Sequence, residues 1–130
     1  MELKLKHTAL DEMAKIGKFD NIEIIVYGNE GSNPHFHFKD VASKHYREGC
    51  IRIDIAEYFD HGKYKARFTK DEKEELVRFL NSTTTKRSRF WNPSATNYDV
   101  IIALWNMSNE LYEIDEDIEM PNYEGLSTKG

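Results

Sequence analysis

His35 and His37 stand two positions apart in the string Asn33-Pro34-His35-Phe36-His37-Phe38. Side chains alternate across a strand, so this spacing sends both imidazoles to one face and Phe36 and Phe38 to the other. Imidazole ligates metals, donates and accepts hydrogen bonds, and changes charge near neutral pH. A face carrying two of them suits a metal, an anion or an acidic group of a partner, while the phenyl rings supply a core-facing edge.

If the strands that follow pair with this one, the polar face gathers Arg52 and Asp54 beside the histidines, with Lys39 at its margin. A metal site then takes His35 and His37 with Asp54, His45 or His61, because a divalent ion doing hydrolysis needs at least three protein donors and an open position. A metal-free nuclease is a second enzymatic arrangement. There His35 and His37 act as acid and base, and Lys63, Lys65, Arg67, Arg87 or Arg89 hold phosphate. In the structural alternative, the imidazoles pack over the sheet and bond to turn carbonyls or carboxylates.

The elements that must position this face can be read in order. Thr8 to Ile16 carries Leu10, Met13 and Ile16 at helical spacing before Gly17, which predicts a short N-terminal helix. Ile22 to Tyr27 is rich in β-branched residues and predicts a strand, and the turn-forming run Gly28 to Pro34 delivers the chain into a second strand, His35 to Lys39. Ile51, Ile53 and Ile55 alternate with polar neighbours, as do Tyr64, Ala66 and Phe68, predicting two further strands joined by the turn Asp60-His61-Gly62. Thr69 with Glu72 forms a capping box ahead of Leu76, Val77, Phe79 and Leu80. A second helix starts near Thr96 and carries Ile101, Leu104, Trp105, Ser108, Leu111 and Tyr112 on one face. The expected fold is α+β: a small antiparallel sheet of three to four strands covered by two C-terminal helices, with a short N-terminal helix. The single domain spans 1–112, and 113–130 reads as an acidic, flexible tail.

Composition bounds the rest. With 130 residues, 39% hydrophobic and 12% aromatic, the chain supports one modest core. No apolar run approaches the roughly 20 residues that cross a bilayer, and the amino terminus lacks a signal-peptide profile, so the expected location is the cytoplasm, or the host cytoplasm or virion if the protein is phage-encoded. Cys50 is the single cysteine, which excludes an internal disulfide and a multi-cysteine zinc site, and beside Ile51 it reads as a small, half-buried filler.

The net charge of −5 hides an asymmetry: Lys63 to Arg89 is basic, and Glu110 to Glu119 is acidic. The basic stretch 63–91 is where nucleic acid would bind. Trp91, between Arg89 and Pro93, has the character of an interface anchor, with Arg87 close by. Glu113, Asp115 and Asp117 mark the tail as a segment for a basic protein surface or a solubilising terminus.

The string Asn29 to Phe38 resembles a small prokaryotic family known as a domain of unknown function, whose members carry a Pro-His-x-His strand after a strand and a polar turn. They continue with a further strand and two helices, the last bearing a Trp-Asn pair like Trp105-Asn106; the similarity runs from about Ile22 to Asn109. It implies a compact α+β module encoded beside a second small protein, in toxin–antitoxin-like pairs, and brings no established activity. Together these features favour a non-enzymatic protein-interaction module of prokaryotic or phage type, one member of a toxin–antitoxin-like pair or an assembly component, that binds a protein partner and can self-associate, with contact surfaces at His35, His37, Lys39 and Arg52, at Arg87 to Trp91, and at the acidic tail. No obligatory cofactor is implied, a divalent metal being the one the histidine face can take; the alternative function is a small metal- or histidine-dependent nuclease using His35, His37 and Asp54.

Overall fold

The computed structural model describes residues 13–28, 30–42, 47–83 and 92–126. Four strands, β1 (Met13–Phe19), β2 (Ile22–Tyr27), β3 (His35–Asp40) and β4 (Arg47–Arg52), form one sheet in the order β1-β2-β3-β4 with every pair antiparallel. Two helices follow, α1 (Lys70–Asn81) and α2 (Asn97–Ser108), then 3-10 turns at Glu110–Tyr112 and Tyr123–Gly125. This is the α+β architecture of a small antiparallel sheet with two helices.

Both helices begin as their sequence dictates. The Thr69 hydroxyl accepts from the Glu72 amide and the Glu72 carboxylate accepts from the Thr69 amide; Thr96 and Asp99 repeat the exchange at α2. Each box satisfies two amides that a helix start otherwise leaves open, and a Ser/Thr cap is worth about 1 kcal/mol. Leu76, Leu80, Ile101, Leu104 and Trp105 then close over the sheet face carrying Ile22, Ile24, Phe36, Phe38 and Ile51. Phe38 stacks on Phe68 at 4.0 Å between centroids. Gly49 makes that approach feasible, because a Cβ there would stand 2.5 Å from the Phe38 ring and 2.7 Å from the Ala66 carbonyl oxygen.

Several elements differ from expectation. Met13 to Ile16, read as the end of an N-terminal helix, belongs to β1; Thr8 and Leu10 lie outside the described residues. The three-residue step from Met13 to Ile16 imitates a helix, yet it is Ala14 and Ile16, two apart, that are buried. A register shift between Lys15 and Gly17 then brings Phe19 to the core side as well. The expected strand over Ile51 to Ile55 is displaced toward the N-terminus as β4. Its polar start is tolerated because Arg47 bonds Asp40 at 2.9 Å and Glu72 at 2.7 Å.

The expected strand over Lys63 to Phe68 does not form. Tyr58 bridges Ile51 on the outer side of β4, and the chain then turns at Gly62 and returns to β4, where the Ala66 amide donates to the Glu48 carbonyl and the Arg67 carbonyl accepts from the Arg47 guanidinium. Helix α2 ends at Ser108 rather than running to Tyr112. Asn109 leaves helical geometry, and its side-chain amide donates to the Trp105 carbonyl, so Leu111 stands 87% exposed.

The segment expected to be a loose acidic tail from residue 113 folds back through residue 126. Ile114, Tyr123 and Leu126 are buried, and the Tyr123 hydroxyl donates to the Ile53 carbonyl at 2.7 Å. Three apolar anchors scattered among acidic residues are enough to hold it, while Glu113, Asp115 and Asp117 stay exposed. No helix among the described residues is long and apolar enough to cross a membrane.

Candidate metal centre

The alternation of β3 does separate imidazoles from phenyl rings: Phe36 and Phe38 join the helix-covered core, and His35 and His37 take the opposite face. Because β3 is an interior strand, His37 is flanked by Ile25 on β2 and Cys50 on β4, and His35 lies opposite Arg52. The expected solvent-facing surface is absent, for His35 and His37 are only 1% and 3% exposed. The segment crossing from Tyr58 to Ala66 covers them. Phe59 lies 4.7 Å from the His35 ring, Tyr64 lies 5.3 Å from His37, and His61 lies 5.3 and 5.6 Å from the two imidazoles. Tyr27 and Trp105 close the sides, at 4.5 Å from His37 and 5.6 Å from His35.

Inside this aromatic box, polar atoms orient the rings. Nδ1 of His35 is 2.7 Å from the Asn33 carbonyl oxygen, which can only accept, so Nδ1 carries the hydrogen and Nε2 faces inward. That Nε2 is buried with no hydrogen-bond partner, although Glu30 Oε1 lies 3.4 Å away. His37 is held on both edges: Nδ1 is 2.9 Å from Glu48 Oε2, and Nε2 is 2.6 Å from Glu30 Oε1. Cys50 Sγ lies 3.4 Å from His37 Nδ1 and 3.3 Å from His61 Nε2.

One donor atom from each of His35, His37, Cys50 and His61 falls within 4.8 Å of the others, so the cluster could hold a metal ion. A tetrahedral zinc with bonds of about 2.0–2.3 Å spaces its ligands about 3.3–3.8 Å apart, so closure asks for side-chain shifts of about an ångström. The Asn33 carbonyl on His35 and the Glu48 carboxylate on His37 are the outer partners that fix ligating imidazoles in metal sites.

The electrostatics suit a cation. Burial, reinforced by Glu30, Glu48 and Asp60, pushes the Cys50 thiol far above its usual range, so without a cation it is an inert thiol. A bound dication reverses that preference. The His35 and His37 imidazoles hold Glu30 well below the usual carboxylate range, and burial, with His35 next, lowers His61.

Among the residues singled out from sequence, the structure brings together His35 and His37, and His61 from the optional third ligands. Asp54 is elsewhere: β4 ends at Arg52, and the bend after it returns Asp54 onto the Arg52 guanidinium at 2.9 and 3.1 Å. Lys39 shares the histidine face, opposite Glu48 in register. Arg67 of the basic stretch is committed to Asp60 through two 2.7 Å bonds. His45, Arg87, Arg89 and Trp91 lie outside the described residues. Glu113, Asp115 and Asp117 sit in the segment after α2, and none belongs to the cluster.

Cys50, Glu30, Glu48 and Asn33 were not foreseen as parts of the site. Cys50 had a signal, since it shares the parity of Arg52 and Asp54 and so had to face the histidines. No protein-family model, curated protein or solved structure matches the chain, so the architecture of this cluster is what speaks for function.

Proposed function

We propose that this protein is a non-enzymatic metal-binding module that takes one divalent transition-metal ion, zinc foremost, on His35, His37, Cys50 and His61. The observation that carries this reading is the convergence of four donor atoms, one each from His35, His37, Cys50 and His61, within 4.8 Å of one another on a largely buried face. Three nitrogens and one sulfur match the preferences of zinc, whereas magnesium and calcium take oxygen.

An architectural role fits better than hydrolysis. Four protein donors complete a tetrahedron, and catalytic zinc keeps a position open for water. Three of the four residues are buried. The ion would fasten the crossing segment at His61 to strands β3 and β4, and a protein whose metal lies inside rather than in a cleft suits the partner-binding role read from the sequence. The nuclease is the lesser reading, because Asp54 and Arg67 are tied to other side chains.

Metal analysis of purified protein and calorimetric titration with zinc chloride test the proposal. One ion per chain is expected, with the signal lost in His37→Ala. A wild-type chain that takes up no stoichiometric zinc or cobalt overturns it.

A further inference from the structure

Glu30 stands where the largely buried cluster meets solvent. Its side chain is 22% exposed, against 0% and 3% for His35 and His37. Its Oε1 reaches one ring nitrogen of each imidazole, 2.6 Å from His37 Nε2 and 3.4 Å from His35 Nε2. The other carboxylate, Glu48, meets His37 from the opposite edge of the ring, and its side chain is only 5% exposed. So of the two acids bonded to His37, Glu30 is the one that water reaches readily.

The backbone around Glu30 is held at one point and open at the next. The Glu30 amide donates to Asn109 Oδ1 at 3.2 Å, and Gly31 follows at φ +90° with nothing within 4 Å of a Cβ built there. A side chain hung in this way can turn toward solvent without dragging packed neighbours along. A partly hydrated anion at the mouth of a low-dielectric site raises the local concentration of cations. It also supplies an oxygen to replace departing water before softer ligands engage.

We propose that Glu30 is the gate by which a divalent ion enters and leaves the His35–His37–Cys50–His61 cluster, its Oε1 taking the ion first and passing it to the two imidazole nitrogens beside it. The inference rests on the metal-binding reading above. During transfer the ion gives up its waters to solvent, the Cys50 thiol proton leaves to solvent as the thiolate engages, and the hydrogen on His37 Nε2 is replaced by one on Nδ1 facing Glu48, which frees the Nε2 lone pair and keeps the imidazole neutral. With four protein donors engaged, the carboxylate has no further place at a tetrahedral ion and swings out.

Stopped-flow mixing of the full chain with cobalt chloride reads loading through the thiolate-to-cobalt charge-transfer band, and chelator addition reads release. In Glu30→Gln, loading and release both slow by roughly tenfold or more, while the final band and the equilibrium affinity stay within about threefold of wild type. Glu30→Asp, which keeps the charge, falls between them and reads the same rates should the amide variant fail to fold. Unchanged rates in both variants overturn the gate and leave the metal site standing. Loss of the band in a folded Glu30→Gln makes Glu30 a permanent ligand and also overturns the gate. A wild-type chain without any band removes the metal reading, and the gate with it.

Discussion

The Glu48 carboxylate reaches Nδ1 of His37 at 2.9 Å, although its own partner across the β3–β4 ladder is Lys39 and that of His37 is Cys50. This diagonal contact makes Glu48 the residue that sets the orientation of the central imidazole. Outer partners of this kind are typically worth 10- to 100-fold in metal affinity. Glu48→Gln should therefore weaken zinc by roughly that factor in a chelator competition, with the cobalt band retained. Equal affinity in variant and wild type would mean that the contact is packing alone.

Zinc should stabilise the fold through Cys50. An ion at a hundredfold excess over its dissociation constant adds about 2.7 kcal/mol, which for a domain of this size raises the melting temperature by roughly 10 °C. In Cys50→Ala the metal-dependent rise should shrink to a small fraction of that. Differential scanning calorimetry with and without zinc makes the comparison, and an undiminished rise in the variant counts against the thiolate as ligand.

Gly49→Ala places a methyl group against Phe38 and the Ala66 carbonyl, where 2.5 and 2.7 Å are available. Overpacking of this severity costs about 1–3 kcal/mol. The nearest chain is the segment that covers the histidines, so the substitution should also speed hydrogen exchange at the Ala66 amide, which donates to the Glu48 carbonyl. A variant as stable as wild type in urea would show that β4 and this segment separate easily.

Acid should weaken the metal-free protein in two stages. His61 is lowered, mainly by burial, so below about pH 6.5 the unfolded chain takes up its proton first and stability declines. Glu30 is held low by His35 and His37, so its contribution is present above about pH 4.3 and is lost as pH falls toward the folded value. Denaturation midpoints against pH should show a shallower second decline in Glu30→Gln. An unchanged acid limb would place that stability in other carboxylates.

Much of this molecule was legible where the determinant is local. Thr69 with Glu72 and Thr96 with Asp99 announce two helix starts because a capping box needs only four consecutive residues. The shared face of His35 and His37 follows from strand parity alone. Their burial did not, because it depends on a crossing chain that places Phe59, His61 and Tyr64 over β3, and alternation at Tyr64, Ala66 and Phe68 is equally compatible with a strand. Cys50 reads as filler because its neighbour Ile51 suggests a core position, whereas the two point to opposite faces. Met13 and Ile16 misled by spacing, and Tyr123 and Leu126 were hidden because single apolar anchors barely alter the average of an acidic segment.

All four donors of the cluster lie between positions 35 and 61, ahead of both helices. An ion could thus cross-link the β3–β4 hairpin and its covering segment while the C-terminal half was still emerging from a ribosome. Closing short loops early lowers the entropy to be lost later and favours rapid folding. Metal supply during synthesis would then govern the yield of native chains, a dependence that adding zinc after misfolding would not reproduce.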